Sequence, residues 1–182
     1  MLINEKIKIF IISGKSSAGK DITAKVISNY AKNKNLKTIN IQISKYIKMY
    51  AELISNWNGS DNNKPRTLLQ NLGNDIRDNY DKYFFINRII DDIKICSSYC
   101  DIITISDARL PYEIETITNC FPNSYKIHII RPNYQSKLTP LEQRHVTETA
   151  LDNYQNFDYC IINDKKLANL KDEVKNIISQ II

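Results

Sequence analysis

Short, isoleucine-rich runs bounded by polar residues alternate along this chain with longer stretches in which apolar residues recur every three or four positions. The short runs, at 6–12, 37–43, 101–106, 125–130 and 159–163, predict five strands. Between and after them the spacing predicts helices over 19 to about 33, 45–57, 66–79, 83–98, 112–120 and 165–182. In the last of these, Leu167, Leu170, Val174, Ile177, Ile178 and Ile181 share one face, which predicts burial against a sheet. Such alternation argues for an α/β fold of three layers, αβα, in which helices cover both faces of a parallel five-stranded sheet. Two segments break the rhythm: a turn-rich loop at 58–65, and a polar stretch at 132–147 with Pro132, Lys137, Pro140, Arg144 and His145. Helix and strand resume after each at the same spacing, so neither reads as a domain linker, and 182 residues suit one domain.

The first predicted strand runs into Gly14-Lys15-Ser16-Ser17-Ala18-Gly19-Lys20-Asp21, with two glycines five positions apart and a lysine after the second. Strand, glycine-containing turn and helix in that order make a P-loop. Glycines let the backbone approach phosphate oxygens, and the N–H groups at the start of a helix favour an anion. Candidate ATP contacts are therefore Gly14, Lys15, Ser16, Ser17, Ala18, Gly19, Lys20, Asp21 and Ile22. Lys20 would reach the β- and γ-phosphates and offset charge on the transferring phosphoryl group. Where the motif usually has a Ser or Thr that ligates Mg²⁺, this chain has Asp21. A carboxylate beside a triphosphate is repelled by roughly 1 kcal/mol in water-like surroundings and by about 4 kcal/mol when partly buried, so Asp21 needs a partner. Mg²⁺, bound directly or through water, is one partner; the positive end of the helix is the other. With a nucleotide in the P-loop, the 132–147 stretch reads as a movable cover; its plainer reading is a surface loop.

A second group of residues, Ser106-Asp107-Ala108-Arg109-Leu110-Pro111-Tyr112-Glu113, closes the third strand. In open parallel sheets ligands bind at the carboxyl ends of strands, which puts Asp107 and Arg109 at the crevice. Asp107 would orient Mg²⁺ or the attacking oxygen, and Arg109 would hold an acceptor phosphate through its planar fork. The plainer reading is a structural ion pair. Arg66 and Arg77, on the 66–79 segment, add candidate acceptor contacts. Trp57, Tyr50 and Tyr83 supply aromatic faces for a base.

Composition narrows the partners only a little. Net charge is +5, from 25 Lys and Arg against 20 Asp and Glu, without a basic tail or block. This suits a small phosphorylated acceptor, and neither nucleic acid nor a membrane is expected. Cys96, Cys100, Cys120 and Cys160 lack the paired spacing of a zinc site and read as buried free thiols. No apolar stretch reaches the length of a membrane span and no signal-peptide pattern precedes the first strand, so a cytoplasmic protein, monomer or homodimer, is expected.

Taken together, these blocks resemble the P-loop kinases that include bacteriophage-type deoxynucleoside monophosphate kinases and, close to them, animal-type phosphomevalonate kinases. Both families are similar to this chain in a P-loop ending Gly19-Lys20-Asp21, which makes Asp21 a family trait. Similar too are the block Leu68-Leu69-Gln70-Asn71-Leu72-Gly73-Asn74-Asp75-Ile76-Arg77, the block 106–113, and His145-Val146-Thr147-Glu148-Thr149 followed by Phe157-Asp158-Tyr159. In the nucleotide kinase pattern the residue before Glu113 is often Asn; here it is Tyr112. The resemblance implies a nucleoside monophosphate kinase-like fold, ATP with Mg²⁺ as donor, and transfer to a second phosphate. It maps Arg77 and Arg109 to the acceptor; joined to the reading of the residues, the expected set is Lys20, Asp107, Arg109 and Arg144 for catalysis, Arg66, Arg77, Asp107 and Arg109 for the acceptor, and Asp21 and Asp107 for the metal. It also maps Arg131 and Arg144 to the lid region and Asn163 to a loop near the adenine; within the single domain the lid is expected at about 132–147 and the acceptor-binding helical region at about 45–98. A (deoxy)nucleoside monophosphate is the first expectation for the acceptor; phosphomevalonate and dephospho-coenzyme A are alternatives, and a non-kinase P-loop NTPase is the rival class.

Overall fold

Along the first strand, β1 (Lys8–Ser13), Phe10 and Ile12 alternate with Ile9 and Ile11, and all four are buried. A strand whose two faces are both covered reads as a continuous apolar run. The computed structural model describes residues 6–132, 134–136 and 138–182. In chain order β1 is followed by α1 (Lys20–Asn33), β2 (Thr38–Ile41), α2 (Lys45–Ile54), a 3-10 turn (Asp61–Asn63), α3 (Arg66–Asn79), α4 (Phe84–Ser97) and β3 (Ile102–Ala108). Then come α5 (Pro111–Cys120), β4 (Ser124–Ile130), α6 (Pro140–Arg144), α7 (Val146–Thr149), β5 (Tyr159–Ile162) and α8 (Leu167–Ser179). The strands form one parallel sheet in the order β2-β3-β1-β4-β5.

Ile9 and Ile11 pack with Ile103, Ile105, Ile86, Ile89 and Ile114 in a core under α4 and α5. Phe10 and Ile12 pack with Ile27, Ile127, Leu170 and Val174 in a second core under α1 and α8. On α8 the buried stripe is Leu170, Val174 and Ile178, whereas Leu167, placed on that face from sequence, is half exposed at the helix start. Of the four cysteines, expected to be buried, Cys120 and Cys160 are exposed; Cys120 ends α5, and Cys160 lies on β5, an edge strand of the sheet.

The central strand ends level with β3, Ser13 pairing with Ala108, and also pairs through Ser13 with His128 of β4, which runs on to Ile130. The turn after β1 therefore opens between the ends of β3 and β4. The β1–β3 register also slips between Ile11, paired with Ile105, and Ser13, paired with Ala108. An irregularity of this kind re-aims side chains, and it falls at Ser106 and Asp107. The 132–147 segment is not loop throughout, since it contains α6 and the start of α7; Lys137, counted with it above, lies outside the described residues.

Candidate active site

The backbone of the P-loop accepts glycine at both ends for reasons of space. Gly14 has φ 140°, and a Cβ there would meet the Ile129 carbonyl oxygen at 2.4 Å. Gly19, the N-cap of α1, has φ 119°, with Leu170 Cδ2 and Asn163 Nδ2 at 3.0 and 3.1 Å from the same hypothetical atom. The turn is braced from outside: Asn163 Nδ2 donates to Ala18 O at 2.8 Å and Arg131 Nη1 donates to Ser17 O at 3.1 Å. Ile22 packs against the α1–α8 core, and Asp21 is exposed in the first turn of α1.

Lys20 folds back into the turn, its Nζ donating to Gly14 O and Lys15 O, each at 2.8 Å. Only 8% of the residue is exposed. Burial, and then the positive field of Arg109, lower its pKa to about 8, while Glu148, Asp21 and Asp107 pull it back up. These groups therefore gather around one ammonium. If that ammonium must be charged to receive phosphate, kcat/KM for ATP stays level below about pH 8 and falls about tenfold per pH unit above it, because kcat/KM reports the free enzyme. A profile level to about pH 9.5 would contradict this.

At the end of β3, Asp107 turns toward the β2–α2 junction. Its carboxylate accepts Ile43 N–H at 2.7 Å, Ser44 N–H at 3.0 Å and the Ser44 hydroxyl at 2.6 Å. Arg109 turns the other way, its Nη1 donating to Glu148 Oε1 at 2.7 Å. The other oxygen of Glu148 accepts Ser16 N–H of the P-loop at 2.9 Å. Lys15 pairs with Asp152 at 2.9 Å, so α7 and the turn that follows it are each fastened to the P-loop once.

Glu113 holds this arrangement from beneath. Its Oε2 accepts the backbone N–H groups of Arg109 and Leu110 at 2.9 and 3.0 Å, and its Oε1 lies 3.7 Å from Arg77 Nη2. Arg77 Nε also donates to Tyr112 Oη at 3.1 Å, which gives the tyrosine a hydrogen-bonding role. Burial raises the Glu113 pKa from 4.5 to about 6 against the pull of its donors. The folded state thus prefers the protonated acid, so this contribution is intact below pH 4.5 and is lost as pH rises through about 6. Relative to Glu113→Gln, which cannot ionise, the wild type should lose about 2 kcal/mol of stability between pH 4 and pH 7. Urea unfolding at the two pH values measures it, and a constant difference would contradict it.

Other predicted contacts are more scattered. Arg66 Nε reaches Glu142 of α6 at 3.9 Å, and Asn74 Nδ2 lies 3.1 Å from His145 Nε2, so α3 touches the 132–147 segment at two points. Arg144 is exposed. Trp57, read from sequence as an aromatic face for a base, is instead buried and donates from Nε1 to Ser60 O at 2.8 Å; closing its own loop consumes it. Beside the P-loop lies a cavity of about 650 Å³, lined by Ser16, Ala18, His128, Arg131, Tyr134 and Glu148 among others. Its size is that of a ligand site.

Residues 37–174 match the model of the deoxynucleotide monophosphate kinase family. The chain belongs to that family. It is therefore a kinase whose acceptor carries a phosphate group. The match begins after the P-loop, so the phosphate-binding turn and the family assignment come from different parts of the chain. Solved P-loop kinases share the fold. The APS kinase of Mycobacterium tuberculosis in complex with AMPPNP and APS is 11% identical, with a TM-score of 0.56 over 95% of this chain and 98% of that one. An unliganded sugar kinase from Janibacter sp. is 10% identical, with a TM-score of 0.58 over 95% of each chain. No curated protein is a significant sequence match.

In this member of the deoxynucleotide monophosphate kinase family, the structure brings Lys20, Arg109 and the P-loop amides together and keeps Arg66 and Arg77 on α3. Residue-type reasoning missed Glu148, Glu113 and His128. Glu148 stood only within a quoted block, and no spacing rule joins it to Ser16. His128 shares its strand face with Lys126 by simple alternation, and it bonds to the Ser13 hydroxyl at 2.8 Å and stacks on Phe157 at 4.4 Å.

Proposed function

We propose that this kinase transfers the γ-phosphate of ATP to the phosphate of a deoxynucleoside monophosphate, with the donor on the P-loop and the acceptor between Arg109 and α3. The observation that carries the proposal is the convergence of Ser16 N–H and Arg109 Nη1 on one carboxylate. An anion of phosphate size can be gripped there from the donor loop and from the acceptor arginine together. An acceptor phosphate oxygen is already anionic near neutral pH, so no general base is required. Positioning and charge neutralisation carry the catalysis.

Lys20 leaves the Gly14 and Lys15 carbonyls for the phosphates and stabilises charge on the transferring group. Arg109 holds the acceptor phosphate, and Arg77 stiffens that corner through Glu113 and Tyr112. Asp107 acts as a positioning residue: its three hydrogen bonds, from Ile43 and Ser44, tie the β2–α2 junction that leads into the acceptor-binding helical region, 45–98, to the end of β3. The segment 132–147 serves as the lid, bringing Arg144 toward the phosphates while Arg131 and Asn163 brace the loop beneath the nucleotide. Tyr83, 43% exposed and edge-on to Tyr112, offers its face to the acceptor base.

Mg²⁺ fits this site in a limited way. Among the described residues no three His, Cys, Asp or Glu side chains gather as a metal cage. Mg²⁺ in phosphoryl-transfer sites needs only one or two carboxylates beside phosphate oxygens. Asp21 supplies one at the mouth of the loop, where exposure keeps its repulsion toward phosphate near the lower, water-like value. Asp107, with both oxygens engaged, does not. When bound, the ion neutralises phosphate charge.

A coupled ADP-release assay over the common ribo- and deoxynucleoside monophosphates, phosphomevalonate and dephospho-coenzyme A tests the proposal. Saturable ADP release with a deoxynucleoside monophosphate is expected. Release without any acceptor, or with phosphomevalonate alone, would overturn it.

A further inference from the structure

The P-loop of this protein already holds an anion of its own. Glu148 leaves α7 with its side chain about nine-tenths buried, and its two oxygens are taken by the P-loop amide of Ser16 and by the guanidinium of Arg109. These are a donor-phosphate group and the acceptor arginine in the function proposed above. Gly14, Lys15, Arg109, Thr147 and Glu148 line one narrow cleft, so the carboxylate sits where the two substrates would meet. Asp152 adds a second link by pairing with Lys15 of the same loop. Glu142 and His145, which reach back to Arg66 and Asn74, hold the approach to this segment against α3.

We infer that Glu148 is a phosphate-mimicking latch, which ATP must displace from Ser16 and whose displacement frees Arg109 for the acceptor. The inference rests on the kinase reading of the site and adds a coupling between its halves. A carboxylate and a phosphate cannot share the same N–H, and two anions side by side in a half-buried cleft repel. Binding of the triphosphate therefore moves Glu148 away, and Arg109, losing its counter-ion, turns to the next anion available. Donor binding thus prepares the acceptor site, and the latch lowers the affinity of the empty enzyme for ATP by the fraction of time that it is closed. It also gives the empty P-loop a counter-ion, which keeps Arg109 paired when no phosphate is present.

Isothermal calorimetry with AMPPNP and Mg²⁺, on wild type, Glu148→Ala and Glu148→Gln, tests the latch, with adenosine as a phosphate-free control. Loss of a charged hydrogen-bond competitor should tighten AMPPNP binding about tenfold in Glu148→Ala. Glu148→Gln keeps the shape and loses the charge, so it should tighten binding severalfold and carries the test if the alanine variant does not fold. Adenosine should bind all three proteins alike, because it makes no phosphate contacts; a merely structural Glu148 would change both ligands together. Unchanged or weakened AMPPNP binding in the variants would overturn the latch while leaving the kinase assignment standing. Absence of AMPPNP binding to every protein, wild type included, would overturn the nucleotide site and the latch with it.

Discussion

Replacement of Lys20 by Ala should lower kcat about a thousandfold, equivalent to about 4 kcal/mol of transition-state stabilisation, with the domain still folded. Two observations support keeping the fold. The Lys20 ammonium is buried enough that its pKa falls to about 8, so removing it relieves a desolvation cost. The cost on the other side is the loss of a donor to Gly14 O and Lys15 O, two carbonyls in a turn that Asn163 and Arg131 still brace. A net change of about 1–2 kcal/mol in stability follows from terms of this size and opposite sign. The catalytic loss has no such compensation, since among the described residues Lys20 alone donates a side-chain cation to both loop carbonyls. Steady-state ADP release with a thermal melt of the same sample measures both, and near-normal turnover would remove Lys20 from the chemistry.

Arg109→Ala should act mainly on the acceptor, lowering its kcat/KM about a hundredfold, equivalent to about 2.7 kcal/mol. The loop that carries Arg109 does not depend on its side chain, because Glu113 binds the backbone N–H groups of residues 109 and 110. The guanidinium is 23% exposed in the cleft, and its strong contact is with Glu148. Arg109→Lys restores the charge without the planar fork, so it should recover only part of the loss. Equal losses in the kcat/KM of ATP and acceptor would argue that Arg109 supports the site as a whole. A selective loss for the acceptor is the expected result, read from initial velocities with each substrate varied in turn.

The layering, the strand count and the P-loop were legible because they rest on local rules. Both faces of β1 are apolar, so the sheet had to be covered twice, and α3 was bounded at Arg66–Asn79 by pattern alone. Element ends shifted where tertiary contacts decide them. Helix α2 stops at Ile54 instead of running to 57 because the following residues turn inward, burying Trp57 on Ser60 O. Strand β3 runs on to Ala108, and its register slip re-aims Asp107. That orientation, with both oxygens of Asp107 bonded to Ile43 and Ser44, is why the role proposed for Asp107 is positioning and not the metal binding expected from sequence, whereas Asp21 keeps an exposed carboxylate beside the loop. The link between Glu148 and Ser16 joins residues 132 positions apart, and such a contact is set by topology, not by any local signal.

Phosphate transfer itself gives the most direct test. ATP labelled in its γ-phosphate is incubated with the protein, Mg²⁺ and each deoxynucleoside monophosphate, and the products are separated. The label should appear in the terminal phosphate of a deoxynucleoside diphosphate, in wild type and not in Lys20→Ala. Label found only as inorganic phosphate, or only on phosphomevalonate supplied in parallel, would contradict the account.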